Sequence, residues 1–220
     1  MQTADELLAH RGLSVIEHLE RLDLRARDLS GTTFERGSMR RLGFAGADLR
    51  QSSFSNQSLI GCDFQGARLS KARFEGGLVE GCDLSRVLAS GAQWRGIELR
   101  ECRFGGADLH ASRWRDVRIE SSDTGYMSLE KALLVNVRFR HARLGGSPLM
   151  RARLSGAFFM HCDLRGANFY GANLRGAVLV GTDLSGASFD DADLTDTVFI
   201  DCNTERTDWA NARQNGDHHG

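Results

Sequence analysis

No stretch of this 220-residue chain approaches the ~20 consecutive apolar residues that a membrane-spanning helix needs, so no such span is expected. The opening MQTADELLAHRG has neither a basic leader nor an apolar core, so no signal peptide is expected and the chain reads as cytoplasmic. CxxC spacing is also missing. Five cysteines, an odd number in a chain without a leader, read as reduced thiols rather than as a disulfide framework. Equally missing are GxSxG, a P-loop and HExxH, so the expectation is a protein that is not an enzyme and holds no cofactor. The formal charge of −1 gives no global field that would draw the chain to nucleic acid or a membrane.

What the chain has in abundance is a period of five. From Gly166 to Leu194 each block reads small residue, Asp or Asn, Leu or Phe, any residue, Gly. Taking the large apolar residue as the centre of a block, the centres keep one phase from Leu24 to Trp209, which makes 38 blocks without insertion or deletion. Only Ala89, Thr124 and Thr204 are not large and apolar; with Met127, the first two mark places where a bulge or bend is expected. Eleven of the 12 Phe and all 3 Trp are centres, and all 5 Cys stand two residues before one. Of the 25 Gly, 16 stand two residues after a centre, so their role is positional rather than a mark of disorder. An unbroken repeat of this length argues for one elongated unit whose blocks stack on their neighbours.

This pattern resembles that of the pentapeptide-repeat family over roughly residues 22–212. The resemblance implies a mainly β fold, a right-handed quadrilateral β-solenoid with four blocks per coil. Centres and small residues would point inward and the other three positions outward. Four blocks make a coil of twenty residues, hence about nine and a half coils and a rod of roughly 45 Å at the ~4.8 Å strand spacing.

Residues twenty apart should then form ladders, and the sequence supplies them. Phe34, Phe54, Phe74, Trp94 and Trp114 make one aromatic column, continued by Leu134, Leu154, Leu174 and Leu194. The cysteines, at 62, 82, 102, 162 and 202, share another. Outside, Glu80, Arg100, Glu120 and Arg140 alternate in sign, an arrangement worth a few tenths of a kcal/mol per neighbouring pair. Four large centres per coil, at ~1.5 to 3 kcal/mol each, fill the core and leave no lumen for a substrate.

The ends differ from the middle. Residues 1–21 are expected to form a helical cap over the first coil, with Thr3 and Glu6 as a capping box, Leu7 and Leu8 after it, and Leu13, Ile16, Leu19 and Leu22 recurring at threes. Leu19 is in phase with the later centres, but its phase would turn Glu17 inward, so the solenoid is expected to start near Leu22 and run over 22–212. Residues 213–220 read as a polar tail.

Candidate sites are therefore sought outside the core. The cysteine column reads as small apolar filler, because Ala takes the same inward position in most blocks. His141 and His161 share an outward column without a carboxylate or a third His, so no metal is expected there. One face carries Phe158, Met160, Val178, Val180, Val198 and Ile200 outward around the centres Phe159, Leu179 and Phe199, with Tyr170 and Met150 on the preceding face able to extend it. Such a contiguous patch on a charged rod marks an interface, read as that of a homodimer. A second face projects Arg73, Arg95, Arg113, Arg115, Arg153 and Arg175 against Glu75 and Asp116, a surface for an acidic protein or, less suitably without aromatics for base stacking, nucleic acid. The carboxyl end is acidic: Asp183, Asp190, Asp191, Asp193, Asp196, Asp201, Glu205 and Asp208 stand against Arg206 alone.

In function, the resemblance implies a protein-binding rod. The Qnr-like members of the family are dimers whose acidic surface imitates duplex DNA, binds DNA gyrase or topoisomerase IV and protects them from quinolones. The acidic carboxyl end and the apolar patch match that description. The near-zero net charge, the basic middle, the lack of outward loops and the placing of the extra helix at the amino end depart from it. The other reading is an interaction scaffold, or an accessory of a secretion or signalling system.

Overall fold

The computed structural model describes residues 15–214. Backbone pairing is parallel throughout, and each residue pairs with the one twenty places on, as in the rungs Phe34↔Phe54 and Phe54↔Phe74. The twelve strands are β1 (Val15–Glu20), β2 (Thr33–Arg40), β3 (Ser53–Ile60), β4 (Arg73–Glu80), β5 (Gln93–Arg100), β6 (Arg113–Arg115), β7 (Arg118–Glu120), β8 (Leu133–Val135), β9 (Arg138–Arg140), β10 (Phe158–Met160), β11 (Val178–Val180) and β12 (Val198–Ile200). They cover two adjoining faces of a four-sided solenoid. Isolated bridges in the same register, such as Asp63↔Asp83 and Asp48↔Arg68, form the other two. There is no helix among the described residues.

Each block contributes its centre and the residue two before it to the core, so the interior is a pile of flat layers. Rings stack up the column from Phe34 to Trp114, with centroid separations of 4.8, 4.7, 4.1 and 5.0 Å. Phe44 and Phe64 stack likewise on another wall and meet Phe54 edge to face. Contacts of this kind add about 0.5–1.5 kcal/mol each beyond the burial of the rings. The interior is therefore closed to any ligand, as the repeat predicts.

Two of the four corners turn in the same way. In Phe44–Ala47, Ala47 N–H donates to the Phe44 carbonyl at 2.9 Å, and Gly46, the third residue, has φ of +66°. That is a type II turn, whose third position requires positive φ. The glycines two residues after a centre satisfy that requirement.

A third corner, which lies within β2–β5 and joins β6 to β7, has no such bond until Ala157 N–H reaches the Leu154 carbonyl at 2.9 Å, with the next two coils alike; the remaining corner, as at Leu59–Cys62, has none among the described residues, and there Cys62 N–H reaches the Cys82 sulfur at 3.3 Å. The inward residue that follows this corner also varies: Gly37, Gln57, Gly77, Ile97, Val117 and Val137 occupy it in the open coils, and Ala157, Ala177 and Thr197 in the tight ones. Gln57, only 3% exposed, fits because Gly37 and Gly77 lie directly across its rung on either side.

Compensating volumes dispose of the expected bulges. Ala89 is a small centre beside the large inward Val87, and Thr124 a small centre beside Met127; all four are buried. Both corners keep their turn bonds, Val87 N–H to the Leu84 carbonyl at 3.4 Å and Met127 N–H to the Thr124 carbonyl at 3.1 Å. Thr124 also donates its hydroxyl to the Arg143 carbonyl at 2.9 Å, so its polar group is satisfied inside. The pattern-breakers compensate one another rather than bend the rod.

The amino end corrects the sequence reading. Residues 15–20, expected in a helical cap, form β1, and Leu19 pairs with Met39 and is buried in the wall. The solenoid thus begins before Leu22. The ladder with β2 pairs one edge of β1, and a register irregularity between Val15 and Glu17 takes up the mismatch at its start. The rest of the expected cap, with Thr3, Glu6, Leu7, Leu8 and Leu13, and the tail beyond residue 214 lie outside the described residues.

Two glycines with positive φ should respond differently to a methyl group. Gly66 has φ of +65° and nothing within 4 Å of an added Cβ, whereas at Gly77, φ +96°, the Cβ would meet the Gln57 backbone carbonyl. Gly66→Ala is expected to cost about 1–2 kcal/mol, the left-handed penalty alone, and Gly77→Ala at least ~2 kcal/mol more from overpacking. Urea unfolding of both variants checks this; equal losses would contradict the packing described at Gln57.

Candidate functional site

The Asp or Asn that precedes each centre has a local structural task. Its side-chain oxygen accepts the backbone N–H two residues on, as from Gln65 to Asp63 at 2.9 Å and from Arg175 to Asn173 at 3.0 Å. This pre-forms the bend that leads into each corner. Where the residue two on is arginine, the guanidinium closes on the same carboxylate: Arg25 on Asp23, Arg50 on Asp48 and Arg165 on Asp163, at 2.6, 2.5 and 2.6 Å. The bond to Arg25 holds the Asp23 carboxyl down to about 2, and those to Arg50 and Arg165 hold Asp48 and Asp163 below their usual range.

This task changes the meaning of the acidic carboxyl end. Asp183, Asp193 and Asp208 accept the N–H groups of Ser185, Thr195 and Ala210 at 2.9, 3.0 and 3.0 Å. Asp190 accepts from Asn211 at 3.0 Å, and Asp196 pairs with Arg175 at 3.5 Å. Asp191, Asp201 and Glu205 are exposed at three different corners or faces. The eight acids therefore encircle the last coils as a ring, and the structure does not gather them on one face.

The apolar patch, in contrast, is brought together as read. β10, β11 and β12 are adjacent and in register, so Phe158, Val178 and Val198 form one outward column and Met160, Val180 and Ile200 another. Val198 and Ile200 are 45% and 44% exposed, and Tyr170 on the neighbouring face 39%. On its other side the patch ends abruptly at Arg138 and Arg140.

The basic face is present, with two amendments. Arg73, Arg95, Arg113, Arg115 and Arg153 are exposed and form no ion pair among the described residues, but Arg175 is held by Asp196. The face also extends round the open corner to Arg118, Arg138 and Arg140, which the sequence reading left out. The run RWRDVR at 113–118 carried the signal: it spans the corner with three outward arginines. The alternating column Glu80, Arg100, Glu120, Arg140 is in register, yet Arg100 pairs with Glu98 of its own strand at 2.8 Å rather than with its column neighbours.

The cysteines share one inward column as expected. Cys62, Cys82, Cys102 and Cys162 are buried free thiols, and their sulfurs donate to backbone carbonyls, Cys62 to Met39 at 3.3 Å. Burial pushes the Cys102 and Cys162 thiols up to about 12 and about 11. The His141 and His161 rings stack with centroids 5.3 Å apart, and the edge of His161 lies where a Cβ on Gly181 would be. Among the described residues no three His, Cys, Asp or Glu are grouped to hold a metal ion, and no helix is long and apolar enough to cross a membrane.

Such a filled, four-sided parallel β-solenoid defines a class of protein. The chain matches the pentapeptide repeats (8 copies) over residues 38–76 and 80–113 and the pentapeptide repeat region over 152–215. It belongs to the pentapeptide-repeat family. Among solved structures it is similar to HetL, a pentapeptide repeat protein involved in heterocyst differentiation regulation from the cyanobacterium Nostoc sp. strain PCC 7120, at 19% identity, 97% coverage of this chain, 95% of that one and a TM-score of 0.45. It is also similar to QnrB1, a plasmid-mediated fluoroquinolone resistance protein, at 23% identity, 90% and 94% coverage and a TM-score of 0.44. No curated protein matches the chain.

Because a thiolate is the reactive species and four of the five thiols are buried, only Cys202 should react quickly with an aromatic disulfide reagent in the native protein. One rapid equivalent is expected, and the others on unfolding. More than one rapid equivalent would contradict the burial of the column.

Proposed function

We propose that this protein is a non-catalytic rod that acts by presenting its outer faces to other proteins and associates with a second copy of itself. The observation that carries this reading is the division of labour between inside and outside. The interior is filled to the axis with rings, leucines and small residues, so selective contact is left to the faces, and these differ sharply in character. One offers stacked apolar columns and another unpaired arginines.

The patch on β10–β12 is the self-association surface. Its six outward residues are apolar, three strands deep, on a rod whose exposed residues are otherwise largely polar. Val180→Asp with Val198→Asp places two charges in it without touching the core. The double variant should elute and scatter as a monomer where the parent is a dimer, with unchanged far-UV circular dichroism. A parent that is already monomeric at micromolar concentration, or a variant of unchanged mass, would overturn this assignment.

The most specific partner that the surface supports is a type II topoisomerase, DNA gyrase or topoisomerase IV, engaged by imitation of duplex DNA and shielded from quinolones. The support is the ring of acids from Asp183 to Asp208, which gives the carboxyl-terminal coils an excess of seven negative charges over Arg206. Purified protein at micromolar concentration is expected to restore supercoiling by gyrase in the presence of a fluoroquinolone. No effect on supercoiling with or without the drug would retire this partner and leave the scaffold reading.

A further inference from the structure

We infer that the open corner between β6 and β7 is a docking site for an acidic protein segment. The inference rests on the reading of the rod as a protein binder but not on the identity of the topoisomerase. The first observation is a contrast in how arginines are used. On the two bridge-only faces Arg25, Arg50, Arg103, Arg143 and Arg165 each close on an aspartate, at 2.6, 2.5, 2.8, 3.3 and 2.6 Å. Around the open corner Arg95, Arg113, Arg115, Arg118, Arg138 and Arg140 are exposed and form no ion pair among the described residues. Composition sharpens the contrast, because throughout the chain the cations are nearly all arginine, with Lys71 and Lys131 the only lysines. Guanidinium is the group that grips carboxylates with two parallel hydrogen bonds.

The second observation is relief. Where the corner has no turn bond, and Gly77 and Gly96 bring no side chains to it, a groove of about 340 Å³ runs along it, lined by Glu98, Asp116, Arg118 and Arg138 among others. On the other side of the corner a recess of about 290 Å³ lies among Arg95, Arg113, Arg115, Leu133 and Val135.

The third observation selects the kind of anion. Glu98 and Asp116 line the same groove and would oppose a continuous phosphate backbone, and no aromatic side chain projects from the two strand-bearing faces between Arg73 and Arg140 for bases to stack on. Leu133 and Val135 pair with Arg113 and Arg115 in the next rung, and Val135 is 38% exposed. Arginines beside a small apolar island suit a protein partner, whose carboxylates meet the guanidinium groups and whose apolar side chains cover the island. Asn136 fixes Asp116 by a 2.7 Å hydrogen bond and keeps it from the arginines.

Fluorescence anisotropy of the full chain tests this with a labelled peptide of about twelve residues in which Glu alternates with Leu and Ser, enough extended chain to cover several rungs. Saturable binding is expected that weakens with salt. Arg113→Gln/Arg115→Gln/Arg138→Gln should weaken it at least about tenfold, while Arg50→Gln/Arg143→Gln, which removes paired arginines on the other faces, should leave it within about twofold. Equal weakening by both variants, or no binding by the parent, would overturn the site. So would tighter binding of a duplex or single-stranded oligonucleotide at the same salt, which would make the corner a nucleic-acid surface. A parent mass that rises with concentration, and falls in the arginine triple variant, would assign the corner to the acidic coils of a second copy and overturn the proposal in that way. The peptide can bind while gyrase is unaffected, and the reverse, so the two readings fail separately.

Discussion

The structure depends on one constraint: each coil must hydrogen-bond to the coils before and after it in a register of twenty residues, on a wall that turns every fifth residue. Once that register is set, a coil cannot adjust on its own, because a shift in one rung would break the ladders on both sides. The chain meets the constraint with redundant local devices. A positive-φ residue serves the corner, an Asp or Asn fixes the bend leading to it, and an apolar centre anchors the wall. Twenty-three non-glycine residues accept the positive-φ conformation as well, from Arg21 to Asn211, which shows how firmly the ladders impose it. Isolated residues of those types avoid it at a cost of about 1–2 kcal/mol.

The same constraint explains how much of the fold was legible in the sequence and where legibility stopped. Period, coil length, ladders and the apolar patch all follow from counting, because stacking converts spacing of twenty into contact. Counting failed where a residue's meaning depended on volume or on a partner. Glu17 argued against a strand at the amino end, yet its backbone pairs with Gly37, and Leu19, in phase and buried over Met39, was the better guide. Ala89 and Thr124 looked like defects because their compensating neighbours, Val87 and Met127, occupy the other inward position of an adjacent block. Gln57 between Gly37 and Gly77 is the same rule applied between coils.

Charge was the hardest property to read. An aspartate before a centre is counted as surface charge in the sequence, yet at Asp183, Asp193 and Asp208 its oxygen belongs to the backbone of the next turn. An arginine two residues after such an aspartate is neutralised locally, as at Arg165, whereas Arg95, two after Gln93, and Arg115, two after Arg113, form no ion pair among the described residues. Net charge by face therefore overstates the acidic end and understates the basic corner. The sign that matters for a partner is the charge left over after the repeat has satisfied its own corners.

That residue of unspent charge falls where the repeat is least regular. In the regular coils Asp, Arg and a tight turn close on one another, and the surface has little free valence to offer. At the corner between β6 and β7 the turn bond is missing, the aspartate position is taken by Gln93, Arg113 or Leu133, and the outer surface becomes concave and cationic together. Backbone, shape and electrostatics thus depart from the repeat at one place. In a solenoid whose core admits nothing, departures from the repeat are the means by which one part of a uniform rod becomes different from the rest.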